Sequence, residues 1–563
     1  MHDNDMSRTE LADPREPAKP GGPAGPGGPA GRSESAESGA SAGLSEPAGP
    51  SEPAESGASA GLSEPVESRT RLRAPLALRP VLAILAVAGA VHLAVATRFG
   101  WHRDEFYYVI AGRHLAWGYP DQPPLTPLLA RLAADLPGGV LPLRVLAIAA
   151  QLGCILLAAT LAAEFGGRTR AQVIAAAAVA ASPVFVAGSM LFGTTVTDQL
   201  AWAAVFVTVA RAMRLGTVRA WLLAGAMAGI GLENKDTIGI LLLGITLGLV
   251  LCRRSVLRTP GPWLGGVLAA LLVAPNIVWN AQHDWAQLRM AGVLSAKQGG
   301  ALGALTQLPV SVLLLAGPPL VVLWVLGVRW LGSAAGRDHR WVLVAAVTVV
   351  VVCTASGGKT YYPLPALIGL FAAAGVWEEA RAARAGTSTG RLRRWRWSVG
   401  IVVSAVFATV IGLPVLPVSA ANALRSVNPE LVETYGWPDF VRQVTAVADT
   451  LPAGASIFTS NYGEAGALTI LGPAAGLRLP VSSAHNGYIL WGPPSGTPDT
   501  VLCVGEWNAA YLHRFWSDVR EIAPITMPDG VVDEEVANHA AIYLCQQPHG
   551  DWAQLWPGLR HLG

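Results

Sequence analysis

Apolar stretches recur from about residue 75 to 418, separated by short polar loops, and the pattern changes abruptly on both sides of that range. A membrane-spanning helix needs roughly 17–25 mostly apolar residues. Segments near 78–98, 141–163, 171–191, 198–215, 219–233, 237–252, 263–281, 306–329, 341–355, 361–377 and 398–418 approach that requirement, which predicts about eleven spans. The fifth, sixth and ninth are short, as tilted, thinned or re-entrant segments are. Beyond 418 the apolar runs shrink to strand length (455–459, 500–504, 541–545) and alternate with amphipathic stretches such as 439–451. That alternation predicts a small α/β domain over 419–563.

Composition sharpens this picture. The 563 residues are 52% hydrophobic and only 14% charged, against about a quarter charged in soluble domains. The chain reads as a polytopic helical membrane protein, with nothing that suggests a nucleic-acid partner. Residues 1–74 are rich in Pro, Gly, Ser and Ala, and Ala36–Pro47 recurs verbatim at 54–65. Such a segment cannot bury enough apolar surface to offset its ordering entropy, so disorder is expected there. It lacks the apolar core of a signal peptide.

Charge supplies the orientation. Arg69, Arg71 and Arg73 precede the first span and predict a cytoplasmic N-terminus. Arginines then cluster in alternate loops (168–170, 211–219, 253–258, 329–340, 381–396), while the intervening loops carry Asp104, Asp198, Lys235, His283 and Lys359. An odd number of spans puts 419–563 outside, where 14 Asp and Glu stand against six Arg and no Lys. Cys503 and Cys545 lie in that region, either bridged or as two buried thiols.

Several polar groups are candidates for chemistry, because ionisable side chains at membrane depth are costly. Asp104 and Glu105 follow the first span in Trp101-His102-Arg103-Asp104-Glu105-Phe106-Tyr107-Tyr108. They are either surface acids or a general base with a carboxylate neighbour that tunes it, binds a hydroxyl or helps hold a metal. Pro123-Pro124 stiffens this first loop and stops any helix in it. Asp198 is either a helix cap or a second acid converging on the pair. Lys235 pairs with Glu233 or Asp236, or meets a phosphate. Lys359, flanked by Gly357 and Gly358, has no acid nearby in sequence and suits an anion, although the Walker spacing is absent. His283 is either a polar tip or a ligand for a divalent metal or phosphate.

The motifs Arg103-Asp104-Glu105-Phe106-Tyr107-Tyr108, Arg113-His114-Leu115-Ala116-Trp117-Gly118-Tyr119 with Asp121-Gln122-Pro123-Pro124-Leu125, the loop at Asp198, Pro275–Asn280 and Gly358–Pro365 resemble those of glycosyltransferase family 39. This is the group of protein O-mannosyltransferases and lipid A aminoarabinose transferases with the GT-C fold, and the likeness is strongest to its bacterial members. It covers about 75–420. Asn461–Ala467 and His485–Tyr488 of the tail also resemble that bacterial subgroup.

The resemblance implies an inverting transfer of a sugar from a polyprenyl-phosphate donor in the bilayer to a protein, lipid or glycan acceptor, outside a bacterial plasma membrane. Asp104 would be the base, Glu105 its acidic partner, and Asp198 an orienting acid. Lys235, Lys359 and Arg103 would meet the donor phosphate. Tyr107, Tyr108, His114, Asp121, Gln122, Tyr361 and Tyr362 would line the substrate. The competing reading is a transporter or lipid-linked-sugar flippase. That class spreads its polar groups near the midplane and often carries inverted repeats, whereas here they crowd one face.

Overall fold

The computed structural model describes residues 73–384 and 386–563, and the side chains of all of these but 386–396. The expected disordered tail over 1–74, with its repeat and most of the first basic cluster, thus lies almost wholly outside the described residues. Helices occupy nearly every apolar stretch. Leu78–Val95, Leu141–Glu164 and Pro260–Gln282 are long and apolar enough to cross a membrane, and a bent pair, Ala286–Lys297 with Gly300–Ala316 (66°), adds a fourth candidate.

The remaining expected spans differ from this, and backbone chemistry says why. The 171–191 segment breaks at Ser182-Pro183 into Thr169–Ala181 and Pro183–Gly188. The segment expected at 306–329 is two helices, Gly300–Ala316 and Val321–Gly332, interrupted at Gly317-Pro318-Pro319. Proline lacks the amide that would continue each ladder. Val218–Leu232, Thr237–Cys252 and Trp341–Ala355 have 15, 16 and 15 residues. At 1.5 Å per residue each covers only about 22–24 Å.

Among the described residues, the arginine-rich loops contact one another at one end and the mixed loops contact one another at the other. At one end Glu164 takes Arg214 at 2.7 Å and Arg73 at 3.6 Å, Arg253 meets Asp338 at 2.8 Å, and Glu379 accepts the Arg168 amide. At the other end, buried Asn234 accepts hydrogen bonds from Thr126 and Thr197, both 2.7 Å, and donates to the Thr194 carbonyl. The alternation of arginine-rich and mixed loops along the chain is therefore a real division in space.

The first loop is not a solvated connection. It folds into two helices, Arg103–Arg113 and Leu125–Ala134. The Pro123-Pro124 pair starts the second of them instead of barring one, because a proline at the helix entrance forfeits no intrahelical hydrogen bond. The C-terminal region carries a mixed five-stranded sheet in the order β2-β1-β3-β5-β4, with β1 at Ser456–Thr459, β2 at Val481–Ser483, β3 at Thr500–Gly505, β4 at Trp516–Pro524 and β5 at Ala541–Pro548. The amphipathic stretch forms the helix Trp437–Ala448, and Cys503 and Cys545 are free and buried.

This sheet region shares its core with the first loop. Phe106 is fully buried in one cluster with Trp437, Phe440, Ile457 and Leu468, and its ring stacks on Trp101 at 5.0 Å. The helix Tyr462–Leu471 lies on Arg103–Arg113 through Gly463 and Gly466, where added methyl groups would stand 2.6 Å from the Cβ atoms of Arg103 and Phe106. Gly466→Val should therefore push the two helices apart at a cost of about 1–3 kcal/mol. A urea titration of the detergent-purified variant checks this, and an unchanged midpoint contradicts it.

Candidate active site

The helix Arg103–Arg113 starts at a capping box. The His102 ring accepts the Asp104 amide through Nδ1 (3.1 Å), while Glu105 accepts the His102 amide at 3.0 Å. With Nδ1 accepting, the ring proton sits on Nε2 and faces Glu430 at 2.9 Å. The box fixes the first turn, and the adjacent acids then point in different directions, since neighbours on a helix are about 100° apart.

Glu105 turns inward and is fully buried. Its oxygens accept the Phe192 amide at 2.9 Å and the Arg144 guanidinium at 2.8 Å. Arg144 also donates to the Gly100 and Met190 carbonyls. Every Glu105 oxygen is thus taken, which leaves it no freedom to bind a hydroxyl or a metal. Arg144→Met would strand that carboxylate, and loss of one partner of a buried pair costs about 3–5 kcal/mol. Thermal unfolding of the variant should show it, and a wild-type midpoint would contradict the pairing.

Asp104 turns outward into a cavity of about 390 Å³. Its Oδ1 accepts the Tyr462 hydroxyl at 2.7 Å, and Oδ2 takes no hydrogen bond from any described residue. Asp121 lines the same cavity, accepting from Tyr107 Oη at 2.8 Å and Asn486 Nδ2 at 3.2 Å. Burial pushes the Asp121 carboxyl up to about 6, against those hydrogen bonds. Lys359 and Lys297 bring cations to the cavity wall, beside Tyr462, His485 and Asn486. Lys359 has no ion-pair partner among the described residues. Glu430 also lines the wall. Partial burial would raise its carboxyl, but the His102 hydrogen bond and the Lys359 and Arg103 charges hold it near 2.

Other expected site residues stand elsewhere. Arg103 reaches the cavity, yet its guanidinium pairs with Glu534 and lies 5.6 Å from the Tyr462 ring centre. Buried acids crowd behind it: burial lifts Glu433 to about 8, Glu506 to about 7 and Asp533 to about 6. The guanidinium expected on a phosphate is therefore engaged by carboxylates of the C-terminal region. Lys235 is not among the residues lining this cavity and stands 4.7 Å from the Tyr362 ring centre and 5.6 Å from that of Tyr361.

Asp198 is buried one turn into the helix Thr194–Leu215, accepting from Thr237 Oγ1 (2.9 Å) and Trp202 Nε1 (3.1 Å). It neither caps that helix nor reaches the Asp104 cavity. Tyr107 and Tyr108 form a buried layer beneath the cavity, and Gln122 is buried near them. His114 is exposed and stacks on Trp491 at 4.6 Å. His283 Nδ1 donates to the Trp279 carbonyl (2.8 Å), and the imidazole stacks on the Trp279 ring and lines a separate cavity of about 480 Å³. Among the described residues no group of three or more His, Cys, Asp or Glu could hold a metal ion, so the residues do not fit the metal that His283 suggested.

Tyr462, His485, Asn486, Lys297 and Glu430 escaped sequence reasoning as site residues. The only signal for any of them was the likeness of 461–467 and 485–488 to the bacterial subgroup.

Residues 121–279 match the family model described as dolichyl-phosphate-mannose-protein mannosyltransferase. No curated protein matches the chain by sequence. Among solved structures, ArnT from Cupriavidus metallidurans bound to undecaprenyl phosphate aligns with a TM-score of 0.53 and 14% identity, covering 82% of this chain and 97% of that one. Its apo state aligns at 0.52, with the same identity and coverage. The chain therefore has the fold of ArnT, that of the GT-C glycosyltransferases. The resemblance to the mannosyltransferase model is confined to 121–279.

Proposed function

We propose that the protein transfers a single sugar from a polyprenyl-phosphate donor to a hydroxyl acceptor outside the bacterial plasma membrane, with inversion at the anomeric carbon. The observation that carries this reading is one cavity lined by Asp104 and Asp121 together with Lys359 and Lys297, Lys359 having no ion-pair partner among the described residues. A carboxylate and a cation lining one space suit the two ends of a glycosyl transfer. One takes the acceptor proton, and the other meets charge developing on the departing phosphate.

In this reading Asp104 Oδ2 is the general base and Asp121 binds sugar or acceptor hydroxyls. Lys359 and Lys297 hold the phosphate. Lys235 supports Tyr361 and Tyr362, over whose rings it stands. Glu105 keeps its helix in place, and Asp198 braces the Thr237 turn. The ArnT structure with undecaprenyl phosphate supports a lipid-phosphate donor, and the arginine-sided loops support a cytoplasmic N-terminus with the C-terminal region outside. The eleven-segment topology belongs to the same proposal.

The test is a reconstituted assay. Proteoliposomes receive polyprenyl-phosphate sugars bearing hexoses and pentoses, with cell-envelope extract as acceptor, and release of polyprenyl phosphate is followed. Extract-dependent release supports the reading. Movement of the intact donor across the bilayer without release would favour a flippase.

A further inference from the structure

We infer that Tyr462, from the C-terminal region, is a positioning residue for the reaction, holding Asp104 in the orientation that the base requires. The inference rests on the transfer reading above. Tyr462 is the first residue of its helix, capped by Asn461, whose side chain accepts the Gly463 and Glu464 amides. Its ring is fixed on three sides. Tyr107 lies at 4.7 Å, His485 stacks at 5.0 Å, and the Arg103 guanidinium stands 5.6 Å away.

So held, the hydroxyl has one acceptor, Asp104 Oδ1 at 2.7 Å. Oδ2 takes no hydrogen bond from any described residue, and Asp104 lines the cavity where an acceptor hydroxyl must arrive. Burial and the Asp104 charge push the Tyr462 phenol well above its ordinary value, so it stays protonated and donates. Tyr462 therefore fixes the direction of the Asp104 carboxylate in a cavity it shares with Asp121 and Glu430. The C-terminal region is thereby part of the reaction centre, because the base is oriented from a residue 358 positions away.

Tyr462→Phe retains the ring and its packing while deleting the donor. We expect kcat to fall about tenfold or more, the cost of a misplaced catalytic group, with the donor KM changed less than twofold. Asp104→Asn with Tyr462→Phe should be no slower than Asp104→Asn alone. Incorporation of 3-fluorotyrosine at 462, which keeps the ring and the donor, should retain most of the wild-type rate.

An unchanged kcat in Tyr462→Phe, or additive losses in the double variant, overturns the inference and leaves Tyr462 a packing residue. Wild-type turnover by Asp104→Asn alone overturns the base assignment itself, and the two failures are thus distinct.

Discussion

Asp104→Asn should slow sugar transfer by about 10²–10⁴-fold, the usual contribution of a positioned general base, without loss of folded protein. The amide is nearly isosteric, and its oxygen can still accept the Tyr462 hydroxyl that Oδ1 accepts at 2.7 Å. What it lacks is proton affinity at the atom facing the cavity. The half-buried position of Asp104 argues that its removal is tolerated, in contrast to fully buried Glu105. The check is single-turnover release of polyprenyl phosphate, with thermal unfolding measured alongside. Wild-type release by a stable Asp104→Asn protein would remove Asp104 from the mechanism. Release lost together with stability would assign the residue to folding.

Lys359→Met should lower kcat by about 10²–10³-fold, the cost of removing one preorganised charge from a developing anion. The side chain lines the Asp104 cavity and has no ion-pair partner among the described residues, so its charge is available to a ligand. Glu430 loses one of the charges that hold its carboxyl down but keeps His102 and Arg103, so stability should hold. Lys359→Arg should recover part of the rate, limited by the different reach of a planar guanidinium. Lys297→Met should be milder, because Lys297 also donates to the Gly563 carbonyl. Binding of polyprenyl phosphate alone, measured by calorimetry in nanodiscs, separates the contributions. Equal affinity in wild type and both lysine variants would mean that the phosphate sits elsewhere.

Much of this site was visible in the chain before folding, and its limits are instructive. Asp104, Glu105 and Lys359 were marked by polarity at the edges of apolar segments and Asp121 by the family resemblance, and the cavity contains all of them except Glu105. Asp104 and Glu105 could not be told apart, because adjacent residues look alike until a helix turns them about 100° apart. Arg144 settled the matter by taking Glu105 from within an apolar helix. Arg103 was misread for a similar reason: its partners Glu433, Glu534 and Glu535 are more than 300 residues distant. Lys297 had no local signal, standing at the end of an ordinary short helix.

Helix existence followed from apolar periodicity, which survives any packing, but helix length did not. Apolar counting runs through Ser182-Pro183 and Gly317-Pro318-Pro319, where the backbone cannot.

The amino-acid sequence by itself determined a chain of apolar helices with arginines at one end and mixed charges at the other, followed by an α/β region, because periodicity and charge segregation are local properties. Only the tertiary structure decided which acid faces the cavity, which cations remain unpaired, and that Tyr462 reaches Asp104. Those outcomes depend on contacts between segments far apart in the chain, where geometry alone determines which group takes which partner.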